Sequence, residues 1–187
     1  MQYDIEKFEE KMLTSREVYG GVLLHVFRDE VSLPNGRAAV REVIRHTGAV
    51  CVVPLTDKYE VITVSQYRYP HKCVLLEIPA GKLDSKDEDP LEAAKRELRE
   101  ETGAIAEKIT ELGLLYTTPA FVDEVIHIYL AQGLSFGEQD LDEDENLCVG
   151  RIPLDEFAQM ILDGKVPDAK TQAAVMRVWA MKHKNMI

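Results

Sequence analysis

The stretch that decides the reading runs Ile78-Pro79-Ala80-Gly81-Lys82-Leu83, crosses an acidic loop, and resumes as Asp89-Pro90-Leu91-Glu92-Ala93-Ala94-Lys95-Arg96-Glu97-Leu98-Arg99-Glu100-Glu101-Thr102-Gly103. The second half writes its own helix limits. Asp89 can cap the N-terminus, and Pro90 suits the first helical position, where its missing N–H costs nothing. Glu92, three residues after Asp89, completes a capping-box pattern. Gly103 suits the left-handed residue that ends a helix. At about 100° per residue, Leu91, Ala94 and Leu98 share a face that should pack inward. Glu97, Glu100 and Glu101 gather on a neighbouring face. Glu97 and Glu101 lie one turn apart, so their carboxylates can meet a common ion. Three carboxylates this close repel unless something positive sits among them, and oxygen-rich clusters suit Mg²⁺ or Mn²⁺. Taken alone, the same helix also fits a solvated acidic face on which Lys95, Arg96 and Arg99 supply the pairs. An EF-hand reading of Asp84–Asp89 fails, because Lys86 holds the third position and no glycine follows.

Upstream, Gly21–Leu33 is β-prone, Pro34-Asn35-Gly36 is a strong turn signal, and Ala38–Ile44 is β-prone again, so residues 20–46 read as a hairpin. Before it, the segment to about Lys11 reads as a loose acidic lead-in. The body begins at Gly48 with a continuous apolar strand, Ala49–Leu55. Further strands are expected at Glu60–Tyr67, Val74–Ile78, Ile105–Tyr116, Glu124–Ala131 and Leu147–Ile152. Helices are expected at Pro90–Thr102, Leu154–Leu162 and Ala169–Lys184. Strands interleaved with three helices indicate an α/β or α+β domain.

The chain has 187 residues, 45% apolar and 29% charged, which is enough to bury a core without disulfides or a structural metal. Its 22 basic and 33 acidic residues give a net charge of −11, which argues against a nucleic-acid partner. No apolar run approaches the roughly 18 residues of a membrane span, and Met1–Lys11 is too acidic and polar for a secretory signal. Cys51, Cys73 and Cys148 have no metal-ligand spacing and read as small apolar residues of a reduced, cytoplasmic protein.

The pattern Gly81, Glu88, then Arg96-Glu97-Leu98-Arg99-Glu100-Glu101-Thr102-Gly103-Ala104 resembles the Nudix box. The gap from Glu88 to Arg96 is the family's seven residues, whereas Gly81 and Glu88 are separated by six residues instead of five. The extra one falls in the loop Leu83–Asp87, where insertions are cheap. Over residues 12–184 the chain resembles the ADP-ribose pyrophosphatase branch. The residues carrying this are Ser65-Gln66-Tyr67-Arg68-Tyr69-Pro70, Glu77–Leu83, Thr117–Glu124 and Leu141-Asp142-Glu143-Asp144-Glu145, with Pro119 as the branch's specificity mark.

The resemblance implies a Nudix fold, with mixed β-sheets sandwiched between helices and an N-terminal antiparallel β-hairpin extension. It divides the chain into a dimer-forming region, 1–46, and a hydrolase domain, 47–187. It implies Mg²⁺-dependent (Mn²⁺ being the alternative) hydrolysis of ADP-ribose to AMP and ribose 5-phosphate. Another nucleoside diphosphate-linked substrate, or a non-catalytic ADP-ribose-binding module, are the competing readings. Glu97, Glu101, the Ala80 carbonyl and Glu145 match metal ligands. Glu143 matches the general base, Glu100 a further ligand or water orienter, and Arg96 the residue that orients a box carboxylate. Arg68 matches a residue that grips the substrate. Lys82, Thr118, Pro119, Ala120 and Glu124 lie where the family contacts adenosine and ribose. Arg41, Gly20 and Gly21 would come from the partner subunit of a homodimer that exchanges its hairpins. The residues themselves agree on one point: positions 138–145 hold six carboxylates with no Lys or Arg among them.

Overall fold

A computed structural model describes residues 3–141 and 146–187, and the chain forms two compact units. The first comprises the chain up to His46 together with Thr118–Glu124. Its strands are β1 (Lys11–Gly20), β2 (His25–Ser32) and β3 (Ala38–Arg45), in an antiparallel sheet of order β1-β2-β3. The expected hairpin is β2–β3, with His25 opposite Arg45 and Ser32 opposite Ala38. The turn between them closes through Leu33 N–H to Arg37 O and Gly36 N–H to Leu33 O, both 2.8 Å. The sheet has one strand more than the sequence suggests: β1 fills the stretch between the lead-in and the hairpin, to which the sequence assigned no element. Polar and apolar residues are mixed along Lys11–Gly20, and every residue of β1 is exposed, so no period-2 burial signal marks it. Thr118–Glu124 adds to this unit through Ile44 N–H to Phe121 O at 2.8 Å and Asp123 N–H to Ile44 O at 3.1 Å.

The second unit contains β4 (Ala49–Pro54), β5 (Glu60–Arg68), β6 (Cys73–Glu77), β7 (Ala80–Lys82), α1 (Pro90–Thr102), β8 (Ala104–Leu115), β9 (Ile126–Phe136), β10 (Leu147–Pro153), α2 (Leu154–Leu162) and α3 (Ala169–His183). One sheet has the order β10-β5-β6, the other β7-β4-β9-β8, with β4 and β9 parallel. This is the mixed-sheet α/β architecture that the sequence implies. Strand β4 explains why its stretch is uninterruptedly apolar, because both of its faces are covered. Cys51 and Val53 join Phe157, Val175 and Val178 of the C-terminal helices in one core cluster. Val50 and Val52 join Ala94 and Leu98 of α1 in another. The short β7 was not anticipated from the sequence; it pairs with the start of β4, Cys51 opposite Ala80. Among the described residues, no helix is long and apolar enough to cross a membrane.

Only one cysteine fits the expectation of a core residue. Cys51 is buried, and burial pushes its thiol up to about 12. Cys73 and Cys148 are exposed, at outward positions of β6 and β10.

Candidate active site

The site is built on α1. Asp89 accepts the Leu91 N–H at 2.9 Å, Pro90 opens the helix, and Gly103 closes it at φ 67° with its N–H on Arg99 O. The capping box is only half made. Glu92 turns outward to Lys95 at 2.6 Å, one turn along the exposed face. As expected, Ala94 and Leu98 are buried, with Leu91 packed against them.

Glu97 and Glu101 are 8% and 2% exposed, and Glu100 is half-buried. What covers the first two is β7. The Ala80 N–H donates to Glu101 Oε2 at 3.1 Å. A Cβ on Gly81 would lie 2.0–2.2 Å from the Glu97 carboxyl group, so only glycine lets the strand cross this close. That contact gives a physical reason for Gly81 at the head of the motif.

Arg96 organises the carboxylates. Its Nη1 donates to Glu97 Oε1 at 2.7 Å and Glu100 Oε2 at 3.3 Å. Its Nη2 donates to the Lys82 carbonyl at 3.3 Å and Glu88 Oε1 at 3.4 Å. Burial works against the Arg96 charge, but Glu97, Asp84, Glu88 and Glu100 together outweigh it and hold the pKa above that of an ordinary arginine. Glu88 also accepts the Asp84 N–H at 2.6 Å, so the loop carrying the extra residue is tied back on itself. Among the described residues, Arg96 Nε is the buried side-chain nitrogen without an acceptor.

The last turn of α1 receives the start of the acidic segment. Gly137 N–H donates to Gly103 O at 2.8 Å, Gln139 Nε2 to Glu101 O at 2.6 Å and Asp140 N–H to Glu100 O at 3.1 Å. Arg99 pairs with Asp140 at 3.2 Å. Carbonyls that a helix end leaves unsatisfied are thereby used to hold this segment. Glu143 and Glu145 lie outside the described residues.

Among the described residues, no three Asp, Glu, His or Cys side chains are grouped closely enough to hold a metal ion. The donor set nevertheless fits a hard divalent cation: two buried carboxylates one turn apart, a third beside them, and a glycine that leaves the carboxylate face open to the backbone. One arginine stands against several carboxylates here.

Arg68, at the end of β5, reaches Glu77 through Nε and Nη2, both at 2.7 Å. The remaining expected residues, Thr118, Pro119, Ala120, Glu124, Arg41, Gly20 and Gly21, belong to the first unit. There Glu124 faces His46 at 3.8 Å, and Arg41 is paired with Glu10 of the same chain. Sequence reading gave Glu77 no role. A signal was available: Glu77 interrupts the apolar run Val74–Ile78, and a carboxylate that is buried there needs a cation.

This fold, with a glycine-backed acidic helix face, is that of a Nudix hydrolase, and the family's NUDIX domain model matches residues 45–174. The chain belongs to the Nudix family, whose hydrolases depend on divalent metals. It is 40% identical over 173 residues to the ADP-ribose pyrophosphatase of Bacillus subtilis, covering 91% of this chain and 93% of that one. It is 43% identical over 182 residues to the methanol dehydrogenase activator of Bacillus methanolicus, covering 95% and 98%. A solved structure described as an ADP compounds hydrolase matches with a TM-score of 0.84 at 28% identity, covering 96% of this chain and 97% of that one.

Proposed function

We propose that this protein hydrolyses the pyrophosphate bond of ADP-ribose, giving AMP and ribose 5-phosphate, with Mg²⁺ as its metal. The observation that carries the reading is the pair of buried carboxylates, Glu97 and Glu101, held against the backbone of Ala80 and Gly81. Likeness to ADP-ribose pyrophosphatases along nearly the whole chain supports the substrate. The Ala80 carbonyl, Glu97, Glu101 and Glu145 would hold the ion. Bound there, a divalent cation neutralises phosphate charge and acidifies water.

The chain's own residues do the rest. Glu143 takes the proton from the attacking water, and Glu100 orients that water. Arg96 holds the box carboxylates apart and in register. Arg68 grips a phosphate with the outer edge of its guanidinium. Lys82, Thr118, Pro119, Ala120 and Glu124 receive the adenosine and ribose parts. Residues 1–46 form a dimerising region and residues 47–187 the hydrolase domain, and Arg41, Gly20 and Gly21 complete the partner's site. Supporting an exchanged dimer, β1 exposes Met12, Leu13, Val18 and Tyr19, and the turn after it exposes Val22, Leu23 and Leu24. We place the protein in the cytoplasm, with no nucleic-acid or membrane partner.

The test is AMP release from ADP-ribose with and without Mg²⁺, beside UDP-glucose and a diadenosine polyphosphate, with sedimentation at micromolar concentration for the dimer. Mg²⁺-dependent release from ADP-ribose, and a sedimenting dimer, are expected. Preference for another compound would keep the chemistry and overturn the substrate. A relative named GDP-mannose pyrophosphatase gives that second reading its specific ground. A monomer would overturn the exchange.

A further inference from the structure

Glu77 ends β6 and is 1% exposed. Two cations meet its carboxylate. Arg68 donates to both oxygens, at 2.7 Å each, and Lys170 of α3 donates to Oε2. Lys170 also pairs with Asp168 at 3.1 Å. Asp168 accepts from the Thr171 N–H at 2.9 Å and hydroxyl at 2.6 Å, while the Thr171 hydroxyl accepts the Ile78 N–H at 3.1 Å. Two carboxylates and two cations therefore balance, and the chain of contacts returns to the residue after Glu77.

In the β5–β6 ladder Arg68 sits opposite Cys73, whereas Glu77 sits opposite Val64. The guanidinium must reach back along four residues of strand to meet Glu77. A long side chain extended this far along a surface has many alternatives, and a bidentate fork removes them. The fork consumes two of the five guanidinium N–H groups and leaves its opposite edge chemically able to take an anion. Arg68 is also near enough to the box carboxylate Glu101 for that residue to help hold its charge, after Glu77 and Asp168.

We infer that Glu77 is a positioning residue for Arg68: anchored by Lys170, it fixes the guanidinium in the one orientation whose outer edge meets the substrate's diphosphate. This rests on the reading of Arg68 given above. Glu77 touches no substrate. It acts through Arg68, at the point where β5, β6 and α3 meet.

A double-mutant cycle separates positioning from mere structural support. Arg68→Ala is expected to raise KM roughly tenfold, and Glu77→Gln to raise it several-fold, with kcat changed less in both. In the double variant the two effects should not add, because Glu77 has nothing left to position. Glu77→Asp, which keeps the charge but shortens the reach, should behave like Glu77→Gln, and it stands in if that variant fails to fold. Additive losses, or a wild-type KM for Arg68→Ala, would overturn the inference while leaving ADP-ribose hydrolysis intact. If the wild type prefers another compound of the panel, the substrate reading falls, and the cycle is run on that compound with the same criteria. If no compound turns over, the cycle is read in ADP-ribose affinity by calorimetry. Absence of both turnover and binding overturns reading and inference together.

Discussion

Among the described residues of the second unit, carboxylates gather around Glu77 and around Arg96, and the two clusters are balanced differently. Around Glu77 the count is even: Glu77 and Asp168 against Arg68 and Lys170. Around Arg96 it is not: one guanidinium stands within 4 Å of Glu97, Glu100, Glu88 and Asp84. Taking an ion out of water costs several kcal/mol unless partners replace the solvent. The Glu77 cluster meets that cost from within the chain, so it can serve as a rigid anchor. Among the described residues, the Arg96 cluster holds more carboxylates than cations, a surplus that favours a positively charged ligand. A balanced buried network holds a geometry, whereas an imbalanced one is built for a ligand.

The largest expected effect lies on the imbalanced side. Glu101→Gln keeps an oxygen able to accept the Ala80 N–H, so the fold should survive. Loss of the charge should cut turnover by about a thousandfold or more. Full turnover with an unchanged circular dichroism spectrum would break the comparison, because the site would then not need that charge.

A middle-sized effect should come from Gly81→Ala. The added methyl would lie 2.0–2.2 Å from the Glu97 carboxyl, which must move. That carboxyl is the far end of a flexible side chain, so stability should fall by only about 1–2 kcal/mol. Displacing it from Arg96 should still lower turnover by roughly a hundredfold, since orienting contacts are worth that much at metal sites. Kinetics and urea midpoints measured together check both halves. A large stability loss with normal turnover would mean that Gly81 serves packing alone.

How much of this could be read from the chain follows from the same physics. The limits of α1 were legible, because Asp89, Pro90 and Gly103 are local signals. The paired carboxylates were legible through helical spacing. Strand β1 was not, since nothing in it is buried within its own unit. Strand β7 was not, because its three residues, Ala80–Lys82, were quoted for their motif and are too short to show a period. The Glu77 anchor joins residues 93 positions apart in sequence, and no local rule brings Lys170 to it. The two exposed cysteines were misread because apolar character was taken as burial. Cys73 opens β6 directly after a turn, and Cys148 lies on the edge strand β10.

The smallest effect sharpens the balanced side. Burial alone would raise the Asp168 pKa, but the Lys170 charge and the bonds from Thr171 hold it below the ordinary carboxylate value. A carboxylate depressed by folding contributes stability that is complete above its unfolded pKa, about 3.9, and is lost as pH falls through the lower folded value. Asp168→Asn keeps an oxygen to cap α3 but removes the charge beside Lys170. It should cost about 1 kcal/mol at pH 7. The gap between wild type and variant should stay constant down to about pH 4 and close below it. Urea midpoints of both proteins at pH 7, 5 and 3 check this. A gap that persists at pH 3 would mean that Asp168 acts by its shape and hydrogen bonds, and that the even count of charges around Glu77 contributes nothing to holding it.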